Sequence, residues 1–148
     1  MKKSRVFLDT SILITALLSN RGGSFYILTQ LKDEYYFQAN KFVLEETLKV
    51  IENKFINMKG LKNSLFLLLG IAKIDILSNP SESSLKKISG IINKEDAPIL
   101  ISALQNSDYL LTLDKDFLTK EIKNFTKDRN LFVLTPKEFI YSRSRCPR

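Results

Sequence analysis

The sequence predicts an α/β domain of three layers, α/β/α, in which helices cover both faces of a short, mainly parallel central sheet. Short apolar strands alternate with helical segments along the chain, which is the pattern of parallel sheets with helical crossovers. The 148 residues, 44% hydrophobic and 26% charged, suit one globular domain with its own core. No internal repeat, linker or low-complexity block divides the chain. We therefore predict a single domain over residues 1–141 and a basic, flexible tail over 142–148.

The strands are predicted from short runs of apolar or aromatic residues at positions 5–8, 35–39, 74–77, 109–112 and 131–134. Helices are predicted from apolar residues at helical spacing at positions 12–18, 42–55, 61–72, 96–105, 121–127 and 136–141, with one more after Ser24 and a short one within 81–92. Ser11 is the expected N-cap of the first helix, and Pro98 fits the first turn of its own. The second half of the 61–72 helix is almost wholly apolar, so we expect it to be buried.

Composition restricts the chemistry. The chain has no histidine, which excludes Ser-His triads, Cys-His pairs and His-ligated zinc. Any hydrolysis must therefore depend on carboxylates, lysines, hydroxyls or an oxygen-bound metal. The net charge of +7 favours a polyanionic partner or simply solubility. A single cysteine, an N-terminus unlike a signal peptide and the short apolar runs lead us to expect a cytoplasmic protein.

Four acidic residues stand where strands end or helices begin. Asp9 directly follows the first strand and Asp114 follows the fourth, so in a parallel sheet both carboxylates emerge at the same edge. Asp96 begins a helix, and Glu46 lies beside the apolar stripe of another. Each acid alone is also explained as a helix cap, a turn residue or a solvated charge. Two hydroxyl residues, Ser11 and Thr112, lie two positions from the strand-end acids and can share a face with them.

Four clustered carboxylates would repel each other strongly. A hard divalent cation removes this repulsion, and an oxygen-rich, histidine-free site suits Mg²⁺ or Mn²⁺. With such an ion, a metal-activated water can attack a phosphorus atom, and no protein nucleophile is needed.

Five segments resemble the PIN (PilT N-terminus) domain, a family of metal-dependent ribonucleases that includes the VapC-like toxins. VFLDTSILITALL resembles its first motif, with Asp9 as the metal-binding acid and Ser11 as a polar neighbour. FVLEETLKVIENKF matches the second at Glu46, and EDAPILISAL matches the third at Asp96. DYLLTLDKDFL matches the fourth, with Asp114 as principal acid and Asp116 as its companion, and LFVLTPKEFI resembles the closing strand and helix.

The resemblance covers positions 6–140 and implies an endoribonuclease that uses Mg²⁺ or Mn²⁺. It would act as the toxin of a toxin–antitoxin pair or as an RNA-processing nuclease. Asp9, Glu46, Asp96 and Asp114 would be catalytic and, with Asp116, would bind the metal, supported by Ser11 and Thr112. Asp116 is explained equally well as the cap of a turn. A toxin would also imply a small antitoxin protein and a homodimer as partners.

Two further alternatives follow from the same residues. Arg21, Lys41, Lys94 and Lys115 lie close in sequence to the acidic edge and could bind RNA phosphates, or they are ordinary surface cations. The alternative function is a non-catalytic RNA-binding or protein-interaction module on the same fold. An aspartyl-phosphate mechanism is disfavoured because Thr10 and Ser11, and not a second Asp, follow Asp9.

Overall fold

The computed structural model describes residues 2–144. The strands are β1 Ser4–Leu8, β2 Tyr35–Asn40, β3 Asp75–Leu77, β4 Tyr109–Leu111 and β5 Phe132–Leu134. The helices are α1 Thr10–Leu18, α2 Gly23–Gln30, α3 Lys41–Lys54, α4 Leu61–Ile71, α5 Glu82–Lys86, α6 Ala97–Asn106, α7 Lys120–Lys127 and α8 Pro136–Ser144. All five strands and most of the helices lie within a residue or two of their predicted positions.

The strands form one parallel sheet in the order β3-β2-β1-β4-β5. In the central strand, Val6, Phe7 and Leu8 are each 0% exposed. Successive side chains of a strand point to opposite faces, so both faces of the sheet are covered. The predicted three-layer α/β/α architecture is therefore confirmed.

The order of the strands reverses between β1 and β4. The chain builds the sheet outwards from β1 to β2 and β3, and then returns to the other side of β1 with β4 and β5. In open parallel sheets the connections on the two sides of such a switch point leave a crevice at the carboxyl ends of the strands. The carboxyl ends of β1 and β4 are in register here, with Leu8 opposite Leu111.

The first helix is capped by Asp9, so the prediction that Ser11 is the N-cap was wrong. The Asp9 carboxylate accepts a hydrogen bond from the backbone N–H of Ile12 at 3.2 Å. The helix begins at Thr10, which is earlier than the apolar run that starts at Ile12. Because N-caps have extended backbone and precede the first helical residue, this earlier start transfers the cap to the acid that ends β1.

A buried asparagine connects the helices that carry Glu46 and Asp96. Asn40, which is 0% exposed, caps α3 by accepting from the Val43 N–H at 2.9 Å. Its amide also donates to the Pro98 carbonyl at 3.1 Å and to the Ser102 hydroxyl at 2.8 Å, both in α6. All polar groups of this side chain are therefore used to fix α3 against α6.

The prediction that the second half of α4 is buried was wrong. Leu65 and Leu68 face the core, whereas Phe66, Leu67 and Ile71 are 49%, 66% and 48% exposed. A helix buries only the stripe that faces its neighbours, and composition alone does not show which apolar residues lie outside that stripe. Within residues 2–144, every helix is too short or too polar to span a bilayer.

The flexible tail was predicted over residues 142–148, and this predicted start is too early, because α8 continues through residue 144. The Arg143 guanidinium donates to the Tyr35 hydroxyl at 3.0 Å and to the Glu34 carboxylate at 2.6 Å. These bonds hold the last turn of α8 against the start of β2. Residues 145–148, with Arg145 and Arg148, lie outside the described residues.

Candidate functional site

Asp9 lies at the switch point, buried between the ends of β1 and β4. Its side chain is 3% exposed. The Ser11 hydroxyl donates to Oδ1, which also accepts the Ile12 N–H, and the Thr112 hydroxyl donates to Oδ2. Three donors thus occupy three of roughly four acceptor positions of a carboxylate. The remaining position is on Oδ2.

Burial raises the pKa of Asp9 from 3.8 to about 6. The hydrogen bonds from Ser11, Thr112 and Ile12 favour the carboxylate and oppose this rise, while the nearby charge of Asp114 adds to it. In the absence of a cation, the Asp9 carboxylate is therefore ionised at neutral pH, although its burial and the charge of Asp114 disfavour the ionised form.

The backbone after β4 is fixed by the same hydroxyls. The Leu113 N–H donates to Ser11 Oγ at 3.0 Å, and the Asp114 N–H donates to Thr112 Oγ1 at 3.0 Å. Ser11 and Thr112 therefore each bind Asp9 and also hold the chain that leads to Asp114. Both residues were predicted as polar neighbours of the acids, and the structure places them in contact with Asp9.

Asp116 is oriented by the turn that follows β4. Its N–H donates to Asp114 Oδ1 at 2.9 Å, and the Asn93 amide donates to Asp116 Oδ2 at 3.1 Å. The carboxylate that accepts the turn hydrogen bond is that of Asp114, so the prediction that Asp116 caps the turn was wrong, and its role as a metal ligand stays a prediction.

Asp96 stands at the N-cap position of α6, but its side chain makes no capping hydrogen bond. Instead, Asp96, Asp114 and Asp116 each bring a carboxylate oxygen to within 4.8 Å of the others. The pKa of Asp96 is raised from 3.8 to about 6, mainly by burial and then, in decreasing order, by the charges of Asp114, Asp116, Glu46 and Glu95. The three acids form what we call the carboxylate cluster.

Glu46 approaches from α3 on another wall of the same cavity. The Thr10 hydroxyl donates to its Oε1, which fixes the side chain towards α1. The cavity has a volume of about 440 Å³, and its walls include Asp9, Glu46, Asp96 and Asp114. Glu45 and Glu95, the neighbours of Glu46 and Asp96 in sequence, are exposed and do not line it.

The donor set of this cavity fits a hard divalent cation. All candidate ligands are oxygen atoms, and the carboxylate cluster offers three of them at mutual distances that one ion can bridge. In the described part of the chain, the two ion pairs are Lys123–Glu138 and Arg143–Glu34, so no lysine or arginine there forms an ion pair with the cavity acids. Their charges are left for a cation from solution.

The cations predicted to bind substrate do not line this cavity. Arg21, Lys41 and Lys115 are exposed, and their roles stay predictions. Sequence reasoning missed three polar residues that orient the acids: Thr10 for Glu46, Asn93 for Asp116, and Asn40 for both helices. Thr10 could have been suspected from its place between Asp9 and Ser11. The role of Asn93 and the contacts of Asn40 with α6 carry no signal in the sequence, because the partners lie 23 or more positions away.

The amino-acid sequence matches no family model and no curated protein. Solved structures share its fold. PAE2754 from Pyrobaculum aerophilum superposes with a TM-score of 0.68 at 11% identity, over 97% of both chains. A chain of VapBC2 from Rickettsia felis, solved bound to a DNA fragment from its promoter, gives 0.62 at 18% identity, over 88% of this chain and 98% of the other.

A PilT N-terminus domain protein from Sulfolobus solfataricus P2 gives a TM-score of 0.55 at 11% identity, again over 97% of both chains. Identities this low establish similarity of fold alone, and the alignments span nearly the whole chain. The similarity to the PilT N-terminus domain that the sequence motifs predicted is thus confirmed for the fold: the chain folds as a PIN-like domain.

Proposed function

We propose that this protein is an endoribonuclease that hydrolyses RNA phosphodiester bonds with Mg²⁺ or Mn²⁺. The observation that carries the proposal is the carboxylate cluster of Asp96, Asp114 and Asp116, within 4.8 Å of one another. Two of its members, Asp96 and Asp114, line a cavity together with Asp9 and Glu46. The cavity lies at the switch point of a parallel sheet, where such folds bind ligands. The PIN-like fold and the net charge of +7 support a nucleic-acid substrate.

The acids at this site would have three different roles. Asp96, Asp114 and Asp116 would hold the cation, and Asp9 would reach it through the free acceptor position on Oδ2. When bound, a divalent cation would neutralise these charges, polarise the scissile phosphate and acidify water for the attack. Glu46, on the wall formed by α3, would orient water or substrate, since Thr10 fixes its carboxylate.

Asp9 also positions its neighbours. Through Ser11 and Thr112 it fixes the backbone N–H groups of Leu113 and Asp114. A displacement of about 1 Å in such a shell is enough to reduce activity strongly. We therefore expect substitutions of Ser11 and Thr112 to lower activity without removing a ligand.

The test is cleavage of single-stranded RNA by the purified full-length chain in Mg²⁺, Mn²⁺ or EDTA. Cleavage should require the metal and should fall by more than about 100-fold in Asp96→Asn, since even the loss of an outer-shell partner of a metal ligand costs about 10–100-fold. Glu46→Gln and Glu45→Gln form a matched pair on one helix, of which only the first removes a cavity acid. Cleavage that survives EDTA, or that responds equally to both glutamate variants, would refute the proposal.

The alternative, a non-catalytic RNA-binding or interaction module, predicts a different outcome. RNA would bind with equal affinity in Mg²⁺ and in EDTA, would stay intact, and would be insensitive to Asp96→Asn. Clustered acids without a cation repel a polyanion, which is why we favour the enzyme.

A second proposal concerns partners, an antitoxin or a second copy. It is motivated by Phe66, Leu67 and Ile71, which α4 leaves exposed, because such apolar residues on one helix are typical of interaction surfaces. Light scattering separates the two partners. A mass of twice 17.0 kDa that falls to the monomer mass in Leu67→Lys identifies a homodimer. A monomer that forms a stable complex only when co-expressed with the product of the adjacent reading frame identifies an antitoxin.

A further inference from the structure

A second, larger cavity lies beside the acidic one. It has a volume of about 820 Å³, within the range of roughly 300–1,000 Å³ that ligand pockets occupy. It opens between α1, the start of α2 and α8. We propose that this cavity, called here the base pocket, binds a nucleobase of the RNA next to the scissile phosphate. The inference rests on the proposed nuclease function and deepens it by giving the site a specificity determinant.

Leu113 connects the two cavities, because it lines both of them. Its side chain is 43% exposed, and its N–H is held by Ser11 Oγ at 3.0 Å. The same serine binds Asp9. The ridge between the cavities is thus fixed to the acidic site. An RNA strand with its phosphate at the carboxylate cluster would cross Leu113 and bring an adjacent nucleotide to the base pocket.

The lining of the base pocket suits the faces and edges of a nucleobase. Ile140 and Tyr141 supply apolar and aromatic surface, on which a base can stack whatever its identity. The Thr15 hydroxyl donates to the Ser11 carbonyl at 2.8 Å, and the Ser24 hydroxyl lies 2.8 Å from Thr15 Oγ1. Their donors are therefore used within the protein, and the oxygen lone pairs that remain can accept hydrogen bonds from the polar edge of the base.

The two cavities also differ in the charge of the residues that line them. Four acids line the first cavity. The base pocket has no acidic residue among its lining residues and contains Lys137, which can attract a neighbouring phosphate. An apolar protein segment would gain nothing from this lysine or from the polar hydroxyls, so RNA is the occupant that we favour.

Two glycines shape the wall formed by α2. A Cβ at Gly23 would lie 3.2 Å from the Pro136 Cβ, so α2 and α8 approach closely there. A Cβ at Gly22 would have Ser19 Oγ as its nearest atom, at 3.8 Å, and the backbone of Gly22, with φ −84° and ψ 168°, accepts any residue. Gly22→Leu can therefore narrow the base pocket without straining the backbone and without touching the acids.

The test measures cleavage of an RNA oligonucleotide that carries one abasic nucleotide at each position next to the cleavage site. In the wild-type protein, one abasic position should lower kcat/KM by about 5- to 150-fold, the value of one stacked base. In Tyr141→Ala and Gly22→Leu this penalty should shrink to less than about twofold, because the base has already lost its pocket. Tyr36→Ala, an exposed tyrosine at the opposite end of the strands, is the matched control and should retain the full penalty.

An equal abasic penalty in all four proteins, or no penalty at any position, would overturn the base pocket. Equal penalties are also expected if the pocket binds an apolar protein segment and not RNA. Circular dichroism melting of each variant shows whether a loss arises from misfolding, and a folded variant melts like the wild type.

Photocrosslinking separates failure of the pocket from failure of the nuclease proposal. Oligonucleotides with 4-thiouridine, irradiated in Mg²⁺ with Glu46→Gln so that cleavage does not remove the bound RNA, should crosslink to the peptide that contains residues 136–141, and the addition of Gly22→Leu should abolish the crosslink. RNA that crosslinks there but is never cleaved in Mg²⁺ or Mn²⁺ would refute the nuclease and retain the pocket. RNA that is cleaved but crosslinks elsewhere would refute the pocket alone, and RNA that does neither would refute both.

Discussion

The buried carboxylate of Asp9 should make the metal-free protein more stable in mild acid than at neutral pH. Burial raises its pKa from 3.8 to about 6, with a further contribution from Asp114, against the opposing hydrogen bonds from Ser11, Thr112 and Ile12. Between those two pH values the folded state binds more protons than the unfolded chain. The contribution of Asp9 to the free energy of unfolding is therefore largest below pH 3.8, falls as the pH rises through 6, and is constant above.

The magnitude follows from the same two values. A pKa that rises from 3.8 to about 6 on folding corresponds to about 3 kcal/mol between the fully protonated and fully ionised limits. Between pH 8 and pH 5, the linkage relation gives about 1.4 kcal/mol of this amount. For a domain of this size the change is about 3–6 °C in melting temperature.

The assay is urea unfolding followed by circular dichroism in EDTA at pH 8, 6.5 and 5. Asp9→Asn cannot ionise, so the difference between wild type and variant isolates the contribution of Asp9 and should change by about 1.4 kcal/mol across this range. Asp33→Asn, which replaces an exposed carboxylate, should change the unfolding free energy by less than about 0.5 kcal/mol at every pH. A wild-type minus Asp9→Asn difference that is the same at pH 8 and pH 5 would refute the reasoning.

Three other predictions follow from the site and its supports. Asn40→Ala should lower the free energy of unfolding, measured in urea, by about 2–4 kcal/mol, because it removes a helix cap and two hydrogen bonds of a buried side chain. The exposed Asn63→Ala should change this free energy by less than about 0.5 kcal/mol. Similar effects of the two substitutions would contradict the role of Asn40. Mn²⁺ at 100 times its Kd should raise the free energy of unfolding by about 2.7 kcal/mol, measured by calorimetry, and Asp114→Asn should lose most of this gain. Lys115→Gln should reduce the slope of log affinity for RNA against log salt concentration by about 1, whereas Lys59→Gln should leave this slope unchanged. Equal slopes in the two variants would exclude Lys115 from the phosphate contacts.

Much of the fold could be predicted because local and global signals agree. The apolar strands have the unbroken hydrophobic runs of a sheet covered on both faces, and the structure shows Val6, Phe7 and Leu8 buried one after another. The outer face of α4 could not be predicted, because Phe66 and Leu67 look in sequence like the core residues beside them. Which of these residues meets a neighbour is decided by the angle at which α4 packs, and that is a property of the assembled domain.

The acids of the site could be found, whereas most of their supports could not. Asp9 and Asp114 end parallel strands, so their convergence follows from topology. The contacts of Asn40 with α6 join residues 58 and 62 positions apart, and nothing local distinguishes it from an ordinary helix cap. The capping role of Asp9 itself was missed, because the apolar run that begins at Ile12 indicated a later helix start with Ser11 as its cap.

The position of β1 at the centre of the sheet has a consequence for the order of events during synthesis. The bond from Thr112 to Asp9 joins residues 103 positions apart. At about 5–20 residues per second, roughly 5–20 s separate the synthesis of its two ends. During that time β1 can pair with β2, but its other edge stays open and available to foreign strands. A chain that is interrupted before β4 would lack two of the three acids of the carboxylate cluster and would expose the strand that the finished protein protects best. Translation therefore yields an aggregation-prone fragment first and the full set of cavity acids only after β4.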